Sequence, residues 1–206
     1  GQIDPADYFE AARTGSAAER TFHAARLRMV RKAVGGPSPA ALDLLDVGCG
    51  AGALAVPLAQ DGHRVTGIDL SPEHIAVLAR HAGEAGVAVK GVVGSGAQLR
   101  FPDDSFDLVL LASVVHLMPE PGPLLREAER VCRREGRIVV AGPWRWHPKS
   151  QPLVKRLLGK QVQTQTWPFT VAGVGRFLLR STLLDHATDP VMGYVVAQLR
   201  PERKPR

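Results

Sequence analysis

Residues 44–52 read Leu-Leu-Asp-Val-Gly-Cys-Gly-Ala-Gly, an apolar run passing directly into a turn with glycine at every second position. Glycine takes positive φ at no steric cost and lets a ligand lie against bare backbone, and a helix placed after such a turn offers it unpaired N–H groups. Outward from this turn, short apolar stretches alternate with helical ones. The pattern predicts strands over 41–47, 64–69, 87–93, 106–112 and 137–141. Helices are expected over 53–60, shortened or bent by Pro57, over 123–133, and from Ser71 as N-cap and Pro72 as first helical residue to about 85. Alternation of this kind argues for one α/β domain, a mostly parallel sheet with crossover helices.

Before this core, residues 17–34 place Phe22, Leu27, Val30 and Val34 at helical spacing among charges, with Ser16 as a possible N-cap and Glu19 three residues on. The GGPSP at 35–39 ends that helix. After the core, 142–168 holds all three tryptophans and four prolines with little periodicity, the composition of a long functional loop. The chain then predicts a helix over 171–180 and two β-like runs, 182–187 and 192–199, joined by a turn at Asp189-Pro190.

The 206 residues, 45% apolar, suffice for a core without a disulfide or metal staple. Cys49 and Cys132 lie 83 positions apart (132 − 49) with no metal spacing, so neither a zinc site nor a disulfide framework is expected, and a reducing, cytoplasmic setting fits best. No apolar run approaches the ~20 residues that cross a bilayer, and no membrane partner is expected. The net charge of +6 collects in the first helix, at 130–137 and in the tail PERKPR, where it suits solvated faces or an anionic partner.

Seventeen residues beyond Gly52 (69 − 52), Asp69 closes the second predicted strand. An acid there can accept hydrogen bonds from both hydroxyls of a ribose. Glycine turn and acid together specify a nucleoside-like ligand, nicotinamide dinucleotides included. The dinucleotide fingerprint is GxGxxG, whereas Gly48-Cys49-Gly50-Ala51-Gly52 is GxGxG with Ala53 in place of the third glycine. Asp46 would repel a pyrophosphate but can pair with an ammonium, directly or through water. S-adenosylmethionine carries an ammonium and no phosphate.

These stretches resemble the class I S-adenosylmethionine-dependent methyltransferases, in particular the small-molecule, ubiquinone-biosynthesis-like subgroup. The likeness runs through LLDVGCGAG, VTGIDLSPEHI and GSGAQLRFPDDSFDLVLLASVVHLM to GRIVV, roughly residues 42–141. It implies a Rossmann-like seven-stranded sheet in the order 3-2-1-4-5-7-6 with the last strand antiparallel and helices on both faces. It further implies that Asp46, Gly48, Cys49 and Gly50 line the methionine part of the cofactor and that Asp69 and Leu70 hold its ribose and adenine. Ser95, Gly96 and Ala97 would cap the adenine, and Ser113 would lie near the sulfonium. Apart from the resemblance, Arg26 can reach the cofactor carboxylate or simply pack or lie at the surface. The family commonly has an acid near Ser95, and a hydroxyl is a weaker acceptor for the adenine amine. On this reading 1–36 is an N-terminal helical cap, 37–141 the cofactor-binding core, 142–168 a variable acceptor-side insertion, and 169–206 the closing helix, hairpin and basic tail.

Methyl transfer from a sulfonium is an in-line displacement, so holding the reactants together can supply on the order of 7–11 kcal/mol. A base is needed only for acceptors that stay protonated. His116, after the fourth strand, is one candidate, and His147 in the tryptophan-rich stretch is its rival; packing or cofactor-orienting roles remain open for both. Trp144 and Trp146 can stack on an acceptor or pack the loop, and Tyr8 and Phe9 can form a lid or simply pack. A nucleic-acid methyltransferase has the basic charge in its favour, but neither an Asn/Asp-Pro-Pro-Tyr motif nor a suitably placed cysteine is present, Cys132 falling in the last turn of a predicted helix. The same fold could also serve as a non-catalytic S-adenosylmethionine-binding module, and more distantly as a nicotinamide dehydrogenase. The expected acceptor is therefore a small molecule methylated at oxygen, nitrogen or carbon, and the expected assembly a monomer or homodimer. A composition rich in Ala, Arg, Gly and Pro is compatible with bacterial secondary metabolism.

Overall fold

The computed structural model describes residues 13–35, 40–118, 120–143, 181–189 and 194–201. Helix α1 (Ala17–Val34) leads into β1 (Asp43–Val47), α2 (Ala55–Gln60), β2 (Arg64–Asp69), α3 (Pro72–Glu84) and β3 (Val89–Val93). Then follow β4 (Phe106–Ala112), a 3₁₀ turn (Val115–Leu117), α4 (Gly122–Val131), β5 (Cys132–Pro143), β6 (Ser181–Asp189) and β7 (Tyr194–Pro201). The expected α/β alternation is found. Strands β3, β2, β1, β4 and β5 lie side by side and parallel, and β7 and β6 continue the sheet, with β7 antiparallel to both neighbours.

Alternation along each central strand sorts its residues onto two faces. Leu44, Leu108, Leu110, Val139 and Ala141 pack beneath Val30, Ala33 and Val34 of α1, Val56 and Leu58 of α2, and Leu78 of α3. Leu45, Val47, Val109, Leu111, Ile138 and Val140 face Leu124, Leu125, Ala128 and Val131 of α4. Each fully buried leucine among these contributes roughly 1.5–3 kcal/mol. Asp46 shares its face with Leu44, so its carboxyl points toward the α1 side.

The start of α3 follows the sequence: Ser71 Oγ accepts from His74 N at 3.1 Å, with Pro72 in the first turn. Two boundaries differ from expectation. Helix α4 ends at Val131, and Cys132 is not in its last turn; it begins β5, extended and fully buried, paired with Phe106. The register then jumps from Phe106↔Cys132 to Leu108↔Arg137, an irregularity that absorbs the charged residues 133–135 outside the regular ladder. Periodicity alone extends the helix because those charges suit an exposed helical turn equally well.

At the other end of the chain Asp189 pairs with Tyr194, so β6 and β7 form the predicted hairpin, and the rest of its turn lies outside the described residues. Outside them too lie the expected helix 171–180, nearly all of the 142–168 stretch with Trp144, Trp146 and His147, and Tyr8 with Phe9. Among the described residues no helix is long and apolar enough to cross a membrane, and no metal-holding cluster is found.

Candidate active site at the carboxyl edge of the sheet

The glycine turn leaves β1 at the carboxyl edge, with φ of +71° at Gly48 and +52° at Gly50. Three of its amides are committed to the neighbouring strand and a fourth bonds within the turn. Gly48 N and Cys49 N donate to Ile68 O at 2.8 and 3.1 Å, and Gly52 N to Cys49 O at 3.1 Å. Gly50 N donates to Asp69 Oδ2 at 2.9 Å. A pyrophosphate turn needs such amides free and a helix end behind them, whereas here α2 is six residues long and starts without a side-chain cap.

Close packing fixes the turn from behind. A Cβ on Gly52, at φ +90°, would come within 2.4 Å of Leu78 Cδ1, and one on Gly67 within 2.8 Å of Cys49 Sγ. Cys49 is buried, and burial pushes its thiol far up, so its side chain packs the turn and only its backbone faces the edge. His81 of α3, buried at 1% exposure, sits with Nδ1 2.9 Å from Ala51 O. A carbonyl can only accept, so that nitrogen carries the proton. Sequence reading missed His81, whose place on the inner face of an amphipathic helix was the available signal.

Two carboxyls stand at this edge. Asp46 is 2% exposed, two residues before the turn and in register with Gly67 on one side and Leu110 on the other. Burial, opposed by the Arg26 charge and reinforced by Asp69, pushes its pKa up to about 7. Asp69 is partly exposed; besides Gly50 it accepts Ser71 N on Oδ1 at 3.0 Å, and His74 Nδ1 lies 2.8 Å from the same oxygen. Two of about four lone-pair positions are thus used by amides. His74, unremarked in the sequence, is brought there by the first turn of α3.

Arg26 lies on α1, whose direction explains the reach. At the amino edge, Arg137 donates to Val34 O at 2.8 Å and Arg31 to Asp61 at 2.6 and 2.8 Å, so α1 runs antiparallel to the parallel strands and carries Arg26 toward Asp46. Leu70, after Asp69, is 74% exposed, an apolar surface left open at the edge. Ser95, Gly96 and Ala97 form a turn across it in which Ser95 Oγ accepts from Ala97 N at 3.2 Å. Ser113 follows β4 with φ +60°, a strained conformation for a non-glycine residue, and Ser113 N donates to Ala141 O at 2.7 Å. The backbone of His116 lies in the 3₁₀ turn just beyond it. Asp46, Gly48, Gly50, Asp69, Leu70, Ser95, Gly96, Ala97, Ser113 and Arg26 are therefore gathered at one edge, while His147 lies outside the described residues.

An edge of this kind can take a nucleoside through Asp69 and a cationic amine through Asp46, and its turn amides leave little for a pyrophosphate. That is the binding edge of an α/β domain suited to a nucleoside that carries an amine. The family described as "Methyltransferase domain" matches residues 45–140. The ubiquinone biosynthesis O-methyltransferase of Azorhizobium caulinodans is 38% identical over 100 residues, 48% of this chain and 40% of that protein. The phosphatidylethanolamine N-methyltransferase of Cereibacter sphaeroides is 34% identical over 126 residues, 60% of this chain and 62% of the relative. The chain thus spans less than two thirds of either. Among solved structures, magnesium protoporphyrin IX methyltransferase from Synechocystis PCC 6803 with bound SAH superposes with a TM-score of 0.70 at 18% identity, covering 98% of this chain and 90% of that one. Residues 45–140 are thus similar to the class I S-adenosylmethionine-dependent methyltransferases.

Proposed function

We propose that the chain binds S-adenosylmethionine at this edge and transfers its methyl group to a small-molecule acceptor. The observation that carries the reading is the buried Asp46, its pKa raised, beside a turn three of whose amides are already bonded to β2. A group so placed is suited to an ammonium and hostile to a phosphate. When bound, S-adenosylmethionine supplies an electrophilic methyl group: the acceptor's lone pair forms the new bond to carbon as the carbon–sulfur bond breaks and sulfur keeps its electrons.

The chain's own residues bind and orient. Asp46 takes the amine, Arg26 the carboxylate, Asp69 the ribose hydroxyls, and Leu70 with 95–97 the adenine. Ser113 borders the methyl position. The strand order 3-2-1-4-5-7-6 is taken as the architecture of the whole domain, with 37–141 as its cofactor-binding half. The segments 1–36 and 142–168 enclose the acceptor, and His116 or His147 removes its proton where one must leave. The O- and N-methyltransferase names of the relatives support a small-molecule acceptor and leave the atom open. Calorimetry with S-adenosylhomocysteine, S-adenosylmethionine and NADH tests the reading. Binding of the first two and not the third is expected, and failure of both sulfur ligands to bind would overturn it.

A further inference from the structure

The segment from Gly94 to Ser105 leaves β3 at the carboxyl edge and returns to the start of β4 at the amino edge, and its path is held at three places. Gly94 N donates to Asp69 O at 2.8 Å. Gly96 passes so near the end of β1 and the side of α4 that a Cβ on it would lie 2.5 Å from Val47 Cγ1 and 2.7 Å from Leu124 Cδ1. The third hold comes from α4. Leu99 is buried, and its N–H donates to Glu127 Oε2 at 2.7 Å. Arg130 donates from Nη2 to Leu99 O and from Nη1 to Phe101 O and Asp103 Oδ1, all at 2.8 Å. It also grips both oxygens of Glu127, from Nε at 2.7 Å and from Nη2 at 2.8 Å.

A guanidinium has five N–H donors in a fixed fork, and these contacts use all five. The arrangement matters because of what it restrains. Gly94-Ser95-Gly96 has two glycines about its only side chain, so this backbone has more freedom to lose on ordering than a tripeptide of ordinary composition. The bonds made within the loop are short-range: Ala97 N donates to Ser95 Oγ, and Gln98 N to Ser95 O at 3.1 Å. They shape the turn without anchoring it to the sheet. The anchor beyond it is supplied from α4, whose residues 127 and 130 stand outside the binding edge.

We infer that Glu127 and Arg130 are positioning residues that hold 95–99 in its ligand-receiving path, so that cofactor affinity depends on a clamp touching no part of the cofactor. The inference rests on the proposed function, in which this loop covers the adenine. A loop ordered in advance adds no ordering cost to binding, and releasing it lowers affinity without unfolding the sheet.

The test compares Arg130→Lys and Glu127→Gln with wild type in the full chain. Lysine keeps the charge but offers a compact ammonium in place of the fork. Glutamine still offers Leu99 N an oxygen. Arg130→Lys is expected to weaken S-adenosylhomocysteine binding about tenfold, and Glu127→Gln only a few-fold, in the range of lost hydrogen bonds to charged groups. Hydrogen exchange of the ligand-free variants should speed up at the amides of 95–101 and stay unchanged in β1 and β4. Saturating S-adenosylhomocysteine should restore protection of the loop. Wild-type affinity in Arg130→Lys would overturn the inference, as would loss of protection throughout the sheet, which marks a residue that only stabilises the fold. A wild-type chain that binds no S-adenosylhomocysteine would instead overturn the proposed function on which the inference stands.

Discussion

Asp43 and Asp46 lie three residues apart on one strand, and the two edges of the sheet treat them in opposite ways. At the amino edge Asp43 accepts from Arg64 at 2.6 Å and Arg133 at 3.0 Å, while Arg133 also holds Asp107, whose Oδ2 accepts Asp43 N at 2.8 Å. Those arginines hold the Asp43 carboxyl below its usual range. At the carboxyl edge the Asp46 carboxyl is buried, with the Arg26 charge favouring its ionised form and the like charge of Asp69 opposing it. Burying a charge without close compensation costs stability. The same residue type thus serves the fold at one end of β1, and at the other, on the proposed function, receives the cofactor's ammonium.

Four experiments bear on this contrast. The largest effect is expected at the turn that sets the carboxyl edge. Gly52→Val meets Leu78 at positive φ and should lower stability by about 2–4 kcal/mol in urea unfolding, the sum of overpacking and left-handed strain. Gly86→Ala, at φ +68° with open space around it, should cost only the strain, about 1 kcal/mol. Equal losses at the two sites would show that packing behind the turn carries no weight.

Next in size, Asp46→Asn should weaken S-adenosylhomocysteine binding at least tenfold, as loss of a buried charge pair does, and yet stabilise the ligand-free protein at pH 8. The sign follows from proton binding. An acid that titrates near 7 when folded and near 3.8 when unfolded keeps its proton longer in the native state, so stability falls as pH rises between those values. The variant's gain at pH 8, on the order of a few kcal/mol, should vanish below pH 4. Chemical denaturation at both pH values measures it.

A smaller effect follows from the same group. The cofactor's ammonium favours ionised Asp46, so wild-type affinity should rise between pH 6 and 8 and flatten above, and Asp46→Asn should lose that slope. A slope surviving in the variant would assign the dependence to another group. The smallest effect is expected at the amino edge. Asp43→Asn should cost less than about 1 kcal/mol, because its partners are solvent-screened, and that cost should disappear in acid as the wild-type carboxyl takes up its proton. S-adenosylhomocysteine affinity should not move.

Much of this was legible in the sequence because it depends on local pattern. Strands at 64–69 and 106–112 alternate or run apolar between turn residues, and Ser71-Pro72 marks a helix start by chemistry acting within three residues. The glycine turn, Asp46 and Asp69 declared a carboxyl-edge site because spacing along two neighbouring strands places them. What did not show were contacts made across sequence distance. His81 reaches Ala51, and Arg130 reaches Leu99 and Phe101, over about thirty residues, and nothing local distinguishes either from an ordinary helical side chain. The end of α4 escapes local pattern for a related reason, since the buried pairing of Cys132 with Phe106 is what stops the helix.

Helix α1 is tied down at one end by Arg137 and by the Arg31–Asp61 pair, and five residues earlier it presents Arg26 toward Asp46. Five residues of α-helix span about 7.5 Å, and each residue turns the helix by about 100°. The interval between Arg26 and Arg31 is therefore a fixed length in the inheritance of this protein. A single-codon insertion or deletion within it would swing Arg26 off the Asp46 face while leaving every residue of the site unchanged, whereas a substitution at an outward position such as Arg28 would pass unnoticed.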